Sequence, residues 1–184
     1  MVEIRRLSKA ETEKFLEFMD GPGFKTNPDW GACYCQFYLD DHNEINPEQT
    51  GASENRKKAC DRIASGAMRG YLAFEGDRTI GWVAANAAKN FPGFPEASES
   101  TARILCFVID QDFQRQGVAT KLLNYALEDL PKQGFDLVEA APKTQSEVSS
   151  RSYRGPISMY LKAGFELVGP LDEHSVIVRR KLSA

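Results

Sequence analysis

Residues 103–130, RILCFVIDQDFQRQGVATKLLNYALEDL, confine the chain to a strand followed by a helix, with a tight glycine turn between them. Positions 103–109 form an apolar run rich in β-branched and aromatic side chains, the composition of a buried strand. Asp110-Gln111-Asp112 breaks that run with turn formers. Val118, Leu122, Leu123, Ala126, Leu127 and Leu130 then recur at helical spacing, which predicts a helix with one buried face. Between the two lies Gln114-Arg115-Gln116-Gly117-Val118-Ala119. Gly117 lets a ligand approach the backbone closely, and Ala119 keeps the first helical turn slim. Backbone N–H groups at a helix N-terminus, with the dipole behind them, suit phosphate or pyrophosphate. Arg115 offers a charge-assisted contact to the same anion.

Gln114-x-x-Gly117-x-Ala119 after a strand resembles the Gln/Arg-x-x-Gly-x-Gly/Ala pyrophosphate loop of the GNAT superfamily, the acetyl-CoA-dependent N-acetyltransferases. Downstream, Met159-Tyr160-Leu161-Lys162-Ala163-Gly164-Phe165-Glu166 is similar to that family's helix-to-strand signature, in which a tyrosine commonly serves as general acid. A generic strand–turn–helix accounts for the first motif but leaves the second as coincidence. The resemblance implies acetyl-CoA as co-substrate, held at Gln114, Arg115, Gln116, Gly117, Val118, Ala119 and Thr120. It also implies backbone N–H groups near Phe107, Val108 and Ile109 that polarise the thioester carbonyl.

Tyr160 would then protonate the departing CoA thiolate, against the competing reading of a helix-face aromatic packed on the core. Glu139, expected on the strand beside the cofactor, is a candidate general base. His42 and His174 are others, because imidazole titrates in the right range. For all three, a solvated or capping residue is the plainer reading. Gln116 occupies a loop position often filled in the family by Arg, Lys or Gly. The stretch 142–155 lacks the short, Asn-containing connection of many relatives, and its Lys143, Arg151 and Arg154 either reach CoA phosphates or are solvated.

The 184 residues suit a single domain, 1–184, large enough to bury a proper core. A net charge of −3 argues against nucleic acid as a partner. The sequence holds no apolar run long enough to cross a membrane, and its charged first residues do not read as a signal peptide. Four unevenly spaced cysteines, Cys33, Cys35, Cys60 and Cys106, read as reduced thiols, so the expected compartment is the cytoplasm.

Taken in order, residues 2–6 alternate as a first strand, and Ser8-Lys9-Ala10-Glu11 is a capping box that opens a helix. Gly21-Pro22-Gly23 stops that helix. A second helix is expected over 53–64, ending at Gly66. Residues 69–74 and 79–85 form a hairpin about Gly76-Asp77. Residues 86–101 read as a surface excursion and a candidate substrate lid. A strand at 135–141, a short helix over 156–163 with Pro156 in its first turn, and strands at 165–168 and 175–182 complete the chain. The order β-α-α-β-β-β-α-β-α-β-β is that of an α/β fold with a mixed sheet. By the resemblance it becomes the GNAT fold, a mostly antiparallel central sheet flanked by helices.

Residues 24–51 form a long irregular stretch rich in aromatics, and such a stretch inside a compact domain is usually functional. In the family the corresponding segment often walls the acceptor site. Trp30, Cys33, Cys35 and Tyr38, with Arg56 of the next helix, are therefore expected to shape an acceptor pocket. Cys33-x-Cys35 lacks the spacer of a thioredoxin-type site. A zinc site would need Cys60, Cys106 or His42 to converge on the pair, so no metal is expected and buried thiols are the simpler reading. An acyl-enzyme on Cys106 is the sharper alternative for that residue.

The sequence thus implies an N-acetyltransferase moving the acetyl group of acetyl-CoA to an amine in a ternary complex. A small molecule is favoured over a protein as acceptor, and dimers are common among such relatives. The rival readings are a non-catalytic acyl-CoA-binding regulatory domain and a thiol or metal protein built on Cys33 and Cys35.

Overall fold

Side chains along the central strands alternate between two apolar cores, so the sheet they build must be covered on both faces. The computed structural model describes residues 1–25, 27–46, 50–144 and 153–183. In chain order these form β1 (Val2–Arg6), α1 (Thr12–Asp20), α2 (Ala52–Ser65), β2 (Gly70–Glu75), β3 (Arg78–Ala87), β4 (Thr101–Ile109) and α3 (Val118–Asp129). Then come β5 (Leu137–Ala140), α4 (Ile157–Lys162), β6 (Glu166–Asp172) and β7 (Ser175–Lys181). The seven strands lie in the order β1-β2-β3-β4-β5-β7-β6. β4 and β5 run parallel, and the other neighbouring pairs run antiparallel. The succession of elements is the one expected from the sequence.

One face carries Leu72, Phe74, Trp82, Leu105 and Val108 against Phe15, Leu16, Phe18 and Met19 of α1 and Ile63 of α2. The other carries Tyr71, Ala73, Ile80, Val83, Ile104 and Phe107 against Leu122, Leu123, Ala126 and Leu127 of α3 and Tyr160 of α4. Full burial of each leucine of α3 contributes about 1.5–3 kcal/mol. Gly81 of β3 allows the close approach of this helix: a Cβ there would stand 3.1 Å from Val118 and 3.3 Å from Leu122. Among the described residues no helix is long and apolar enough to cross a membrane.

Several boundaries differ from expectation for local reasons. Ser8 caps, its Oγ accepting from the Ala10 N–H and donating to the Glu11 carboxylate, but the reciprocal backbone bonds of a capping box are replaced by this pair, the turn it opens is 3₁₀, and α1 begins only at Thr12. Pro156 is the N-cap of α4 rather than a member of its first turn. β6 runs on through Gly169 and Pro170, which the sequence reads as a loop. It lies at the sheet edge, and register shifts at Leu167/Gly169 and Pro170/Asp172 accommodate the proline that an interior strand would exclude.

The parallel pairing of β4 and β5 is short: it couples Thr101 to Leu137 and ends with Ile104 opposite Ala140. Within it Arg103 stands opposite Glu139, and Glu139 stands opposite Arg179 of β7. Arg103 Nη2 donates to Glu139 Oε2 at 2.7 Å, and Arg179 Nη2 donates to Oε1 at 2.6 Å. The Arg103 side chain is 1% exposed and that of Glu139 5%. Arg103 also donates to the carbonyls of Ala88 and Pro95, which fastens the 86–101 excursion to the sheet. Removing one partner of such a pair strands a buried charge. Glu139→Ala should therefore lower stability by about 3–5 kcal/mol in equilibrium urea unfolding. Arg179→Ala, at a guanidinium 45% exposed, should cost about 1 kcal/mol or less. Equal losses would show that the pair does not hold the register.

Candidate active site

Past Ile104, β4 continues to Ile109 with no β5 residue beside it, so the two parallel strands part. On its other side β4 bulges against β3. Trp82 pairs with Val108 and Ala84 with Leu105, and between them Cys106 takes φ 57°, in the left-handed region unusual for a side chain other than glycine. The bulge and the parting together free backbone polar groups on one edge of β4. The Phe107 N–H, one of the expected thioester donors, bonds the Tyr153 carbonyl at 2.6 Å. Val108 is buried in the opposite core, and Ile109 is half-buried where the strand ends.

The strand leads into the glycine turn. Asp110 accepts from the Asp112 N–H, the Gln114 side chain donates to the Ile109 carbonyl at 3.3 Å, and Gln116 Nε2 donates to the Asp112 carbonyl at 2.7 Å. Arg115 at φ 59° and Gly117 at φ 81° both lie in the left-handed region, so the chain curls into the N-terminus of α3. Lys121 N–H is bonded to the Gly117 carbonyl. The amides of Val118, Ala119 and Thr120 precede it, where a helix offers no carbonyl partner of its own. A Cβ placed on Gly117 would meet nothing within 4 Å, so the space beside these amides is open, and Arg115 is exposed nearby in the same turn. The open space, these donors and the helix dipole fit a pyrophosphate.

Tyr160 of α4 packs against Phe107 of β4. It is fully buried between Phe107 and Phe165, with ring centroids 6.3 Å and 5.3 Å away, and its hydroxyl donates to the Arg154 carbonyl at 2.7 Å. Burial raises the pKa of this phenol well above its ordinary value, and nearby Arg154 offsets only part of the rise. The consecutive carbonyls of Tyr153 and Arg154 thus accept from Phe107 and from Tyr160 respectively.

The end of the β4–β5 pairing, the bulge beside it and the uncapped N-terminus of α3 thus follow one another along a single strand and the turn after it. The model of the acetyltransferase (GNAT) family matches residues 34–165, well over half of the chain. The chain belongs to the GNAT acetyltransferase family. It is an acyltransferase, of a family that moves an acyl group from CoA to an acceptor. No curated protein sequence matches it. Its fold is similar to that of an N-acetyltransferase from Staphylococcus aureus, 14% identical with a TM-score of 0.63 over 100% of this chain and 99% of that one. The PaiA N-acetyltransferase of Thermoplasma acidophilum, solved in complex with coenzyme A, is 18% identical with a TM-score of 0.59 over 98% and 99%. A ribosomal-protein-alanine N-acetyltransferase from Brucella melitensis is 14% identical with a TM-score of 0.61, again over 98% and 99%.

In this GNAT protein the 24–51 segment lies against the bulge side of β4. Gln36 and Asp40 anchor it to α2: Arg62 donates to Gln36 Oε1 at 2.6 Å, and Lys58 and Arg62 both pair with Asp40. Trp30 and Cys33 line a cavity of about 380 Å³ together with Asp29, Phe37, Asp40 and Asn55. Tyr38 lines a neighbouring one of about 270 Å³ with Phe94, His42 and Arg154. Cys35 lies behind both, against Cys106. Arg56 lines neither cavity; its guanidinium turns to Asp20 at the end of α1. The neighbouring Asn55 is the α2 residue that faces the pocket, donating to the Ala32 carbonyl at 2.9 Å, and the helical period of α2 holds the signal for that choice.

The three candidate bases have different surroundings. Both carboxylate oxygens of Glu139 are held by guanidinium groups, so it serves as a strut and is unsuited to take a proton from an acceptor. His42 bonds the Phe37 carbonyl through Nε2 at 2.7 Å on the wall of the smaller cavity. His174 sits in the exposed β6–β7 turn. Arg154 is held by Tyr38 and Ser175, on the wall of the smaller cavity. Lys143 bridges Pro156 and Ser175 through its backbone, and Arg151 lies outside the described residues.

The surroundings of Cys33 and Cys35 disfavour their thiolates. Burial, and secondarily the proximity of Cys106, pushes Cys33 up to about 11, and burial also raises Cys35. An ordinary cysteine titrates near 8.5, so at pH 7.5 the thiolate fraction of Cys33 should be roughly 10²-fold below normal. Timed labelling with iodoacetamide, read by peptide mass, should modify Cys60 first and Cys33 about 10²-fold more slowly. Cys33 should speed up as pH rises toward 11. Prompt labelling of Cys33 at neutral pH would show that its half-buried surroundings do not raise its pKa.

Proposed function

We propose that this acyltransferase moves the acetyl group of acetyl-CoA directly to an amine, with both reactants bound at once. The parting of β4 from β5 carries the reading, because it leaves the Phe107 N–H bonded outside the sheet, to Tyr153, on the strand that leads into the open Gly117 turn. A thioester carbonyl placed at Phe107 would take over the hydrogen bond now made by Tyr153, and the N–H would stabilise the oxyanion formed on attack. The Gly117 amides and Arg115 would hold the pyrophosphate. Cavities lined by Trp30, Cys33, Tyr38 and Asn55 offer the acceptor a place on the bulge side of the same strand. Holding both partners supplies much of the acceleration, since it makes a bimolecular step effectively unimolecular.

Tyr160 is the proton donor to the departing thiolate in this reading, its hydroxyl exchanging the Arg154 carbonyl for the sulphur. No side chain is assigned as base; an amine that binds neutral, or loses its proton through water, needs none. A small amine is favoured over a protein amine as acceptor, because the acceptor-side cavities are of small-molecule size.

Calorimetric titration with acetyl-CoA should show saturable binding that ATP does not reproduce; a folded protein that binds neither would remove the reading. Gly117→Trp should weaken CoA binding by at least about 10²-fold by filling the open space beside the amides, with about 1–2 kcal/mol lost to the left-handed backbone. Unaltered affinity would refute the loop's role. Tyr160→Phe should lower kcat by about 10²-fold with CoA affinity preserved. Because burial raises the phenol's pKa, Tyr160 stays protonated through the ordinary tyrosine range near 10. The kcat profile should then rise with pH as the acceptor amine deprotonates and show no descending limb below about pH 10. A limb there that Tyr160→Phe abolishes would overturn the elevated pKa.

A further inference from the structure

Two thiols far apart in the chain meet at the bulge of β4. Cys35 Sγ and Cys106 Sγ lie 2.8 Å apart across 71 residues of sequence, and both side chains are buried. That is closer than ordinary nonbonded packing at about 3.5–4.0 Å and within about 0.8 Å of a disulfide bond length. Backbone constraint holds each one in place: Cys35 at φ 55° and Cys106 at φ 57° both occupy the left-handed region. The bulge creates the meeting. Leu105 and Cys106 face the α1–α2 core consecutively, while Ile104 and Phe107 face the other. In a regular strand Cys106 would share the face of Ile104 and never reach Cys35.

We propose that Cys35 and Cys106 form an oxidisable dithiol, closed by a small hydroperoxide into a disulfide that ties the 24–51 segment to the acyl-transfer strand. One sulphur attacks the peroxide O–O bond, which breaks to give a sulfenic acid and an alcohol, or water from hydrogen peroxide. The second thiol then attacks that sulphur, the S–S bond forms, and the hydroxyl leaves with the thiol proton as water. Two electrons pass in total from the thiols to the peroxide. Burial shuts the pair off from bulky disulfide reagents and leaves a small oxidant as the one that can reach it; burial also raises the Cys35 thiol, which slows the first step. Closure draws the bulge toward the segment and shifts Phe107, the residue next to Cys106. The effect on catalysis rests on the acetyl-transfer reading; the cross-link itself does not.

The test oxidises the whole reduced protein with hydrogen peroxide and analyses it by non-reducing peptide mass spectrometry. The expected product links the Cys106 peptide to the Cys35 peptide and leaves two of the four thiols free. Cys33→Ser should still cross-link, and Cys35→Ala should not. Cys106→Ser must first be shown folded by circular dichroism, and Cys35→Ala decides the matter if it is not. Cys35 and Cys106 remaining free after Cys60 is fully oxidised would overturn the proposal, as would a dominant Cys33–Cys106 link. Acetyl transfer by the cross-linked protein should fall by about 10²-fold, the effect of a displacement of about 1 Å near the reacting groups, and recover with dithiothreitol. Unchanged transfer would overturn the effect on catalysis. Reduced protein that transfers no acetyl group would instead refute the acetyl-transfer reading, and the cross-link would still be read by mass.

Discussion

The buried ion pair between Arg103 and Glu139 is the interaction on which the rest of this architecture depends. Parallel strands have no hairpin to set their register, and β4 and β5 are joined only through α3. A guanidinium and a carboxylate placed opposite each other, both shut off from water, penalise any slip that would leave either one alone. Arg179 extends the row to β7, so one line of charge aligns three adjacent strands. The line crosses the sheet at the last rungs before β4 and β5 separate. A firm register there lets the strands part at a defined point, and the free edge of β4 takes its position from that point.

The strand, glycine turn and helix around Gly117 were legible in the sequence because they are local. Strand, glycine turn and amphipathic helix occupy one continuous stretch, and Gly117 and the face of α3 follow from spacing alone. The acceptor side was only partly legible, because it depends on contacts between distant residues. Trp30, Cys33 and Tyr38, grouped from their chemistry, line two neighbouring cavities. Arg56 and Asn55 are adjacent in sequence but diverge by about 100° on a helix, and composition favoured the wrong one. Glu139 looked like a base because it is acidic and stands beside the cofactor strand; the two guanidiniums that claim it come from β4 and β7. A bulge is harder still to foresee, since one inserted residue reverses the facing of what precedes it.

The two sides also differ in how they are stabilised. Around the Gly117 turn the order comes from regular helix and strand. Around the acceptor cavities it comes from side chains reaching across from other elements, such as Arg62 to Gln36, Lys58 to Asp40 and Arg154 to Tyr38. Such an irregular wall changes shape with single substitutions while the sheet beneath it stays intact. A family reading therefore specifies the acyl donor's side of this protein more sharply than the acceptor's.

Pro170 on the outermost strand has a bearing on how the molecule behaves in a crowd. β6 leaves Leu167 and Val168 half exposed, and an open strand edge with apolar side chains invites a neighbouring molecule to add its own strand. A proline that offers no N–H, set between two register irregularities, denies an incoming strand a continuous ladder. The features that made this segment read as a loop thus act as a guard against sheet-to-sheet aggregation.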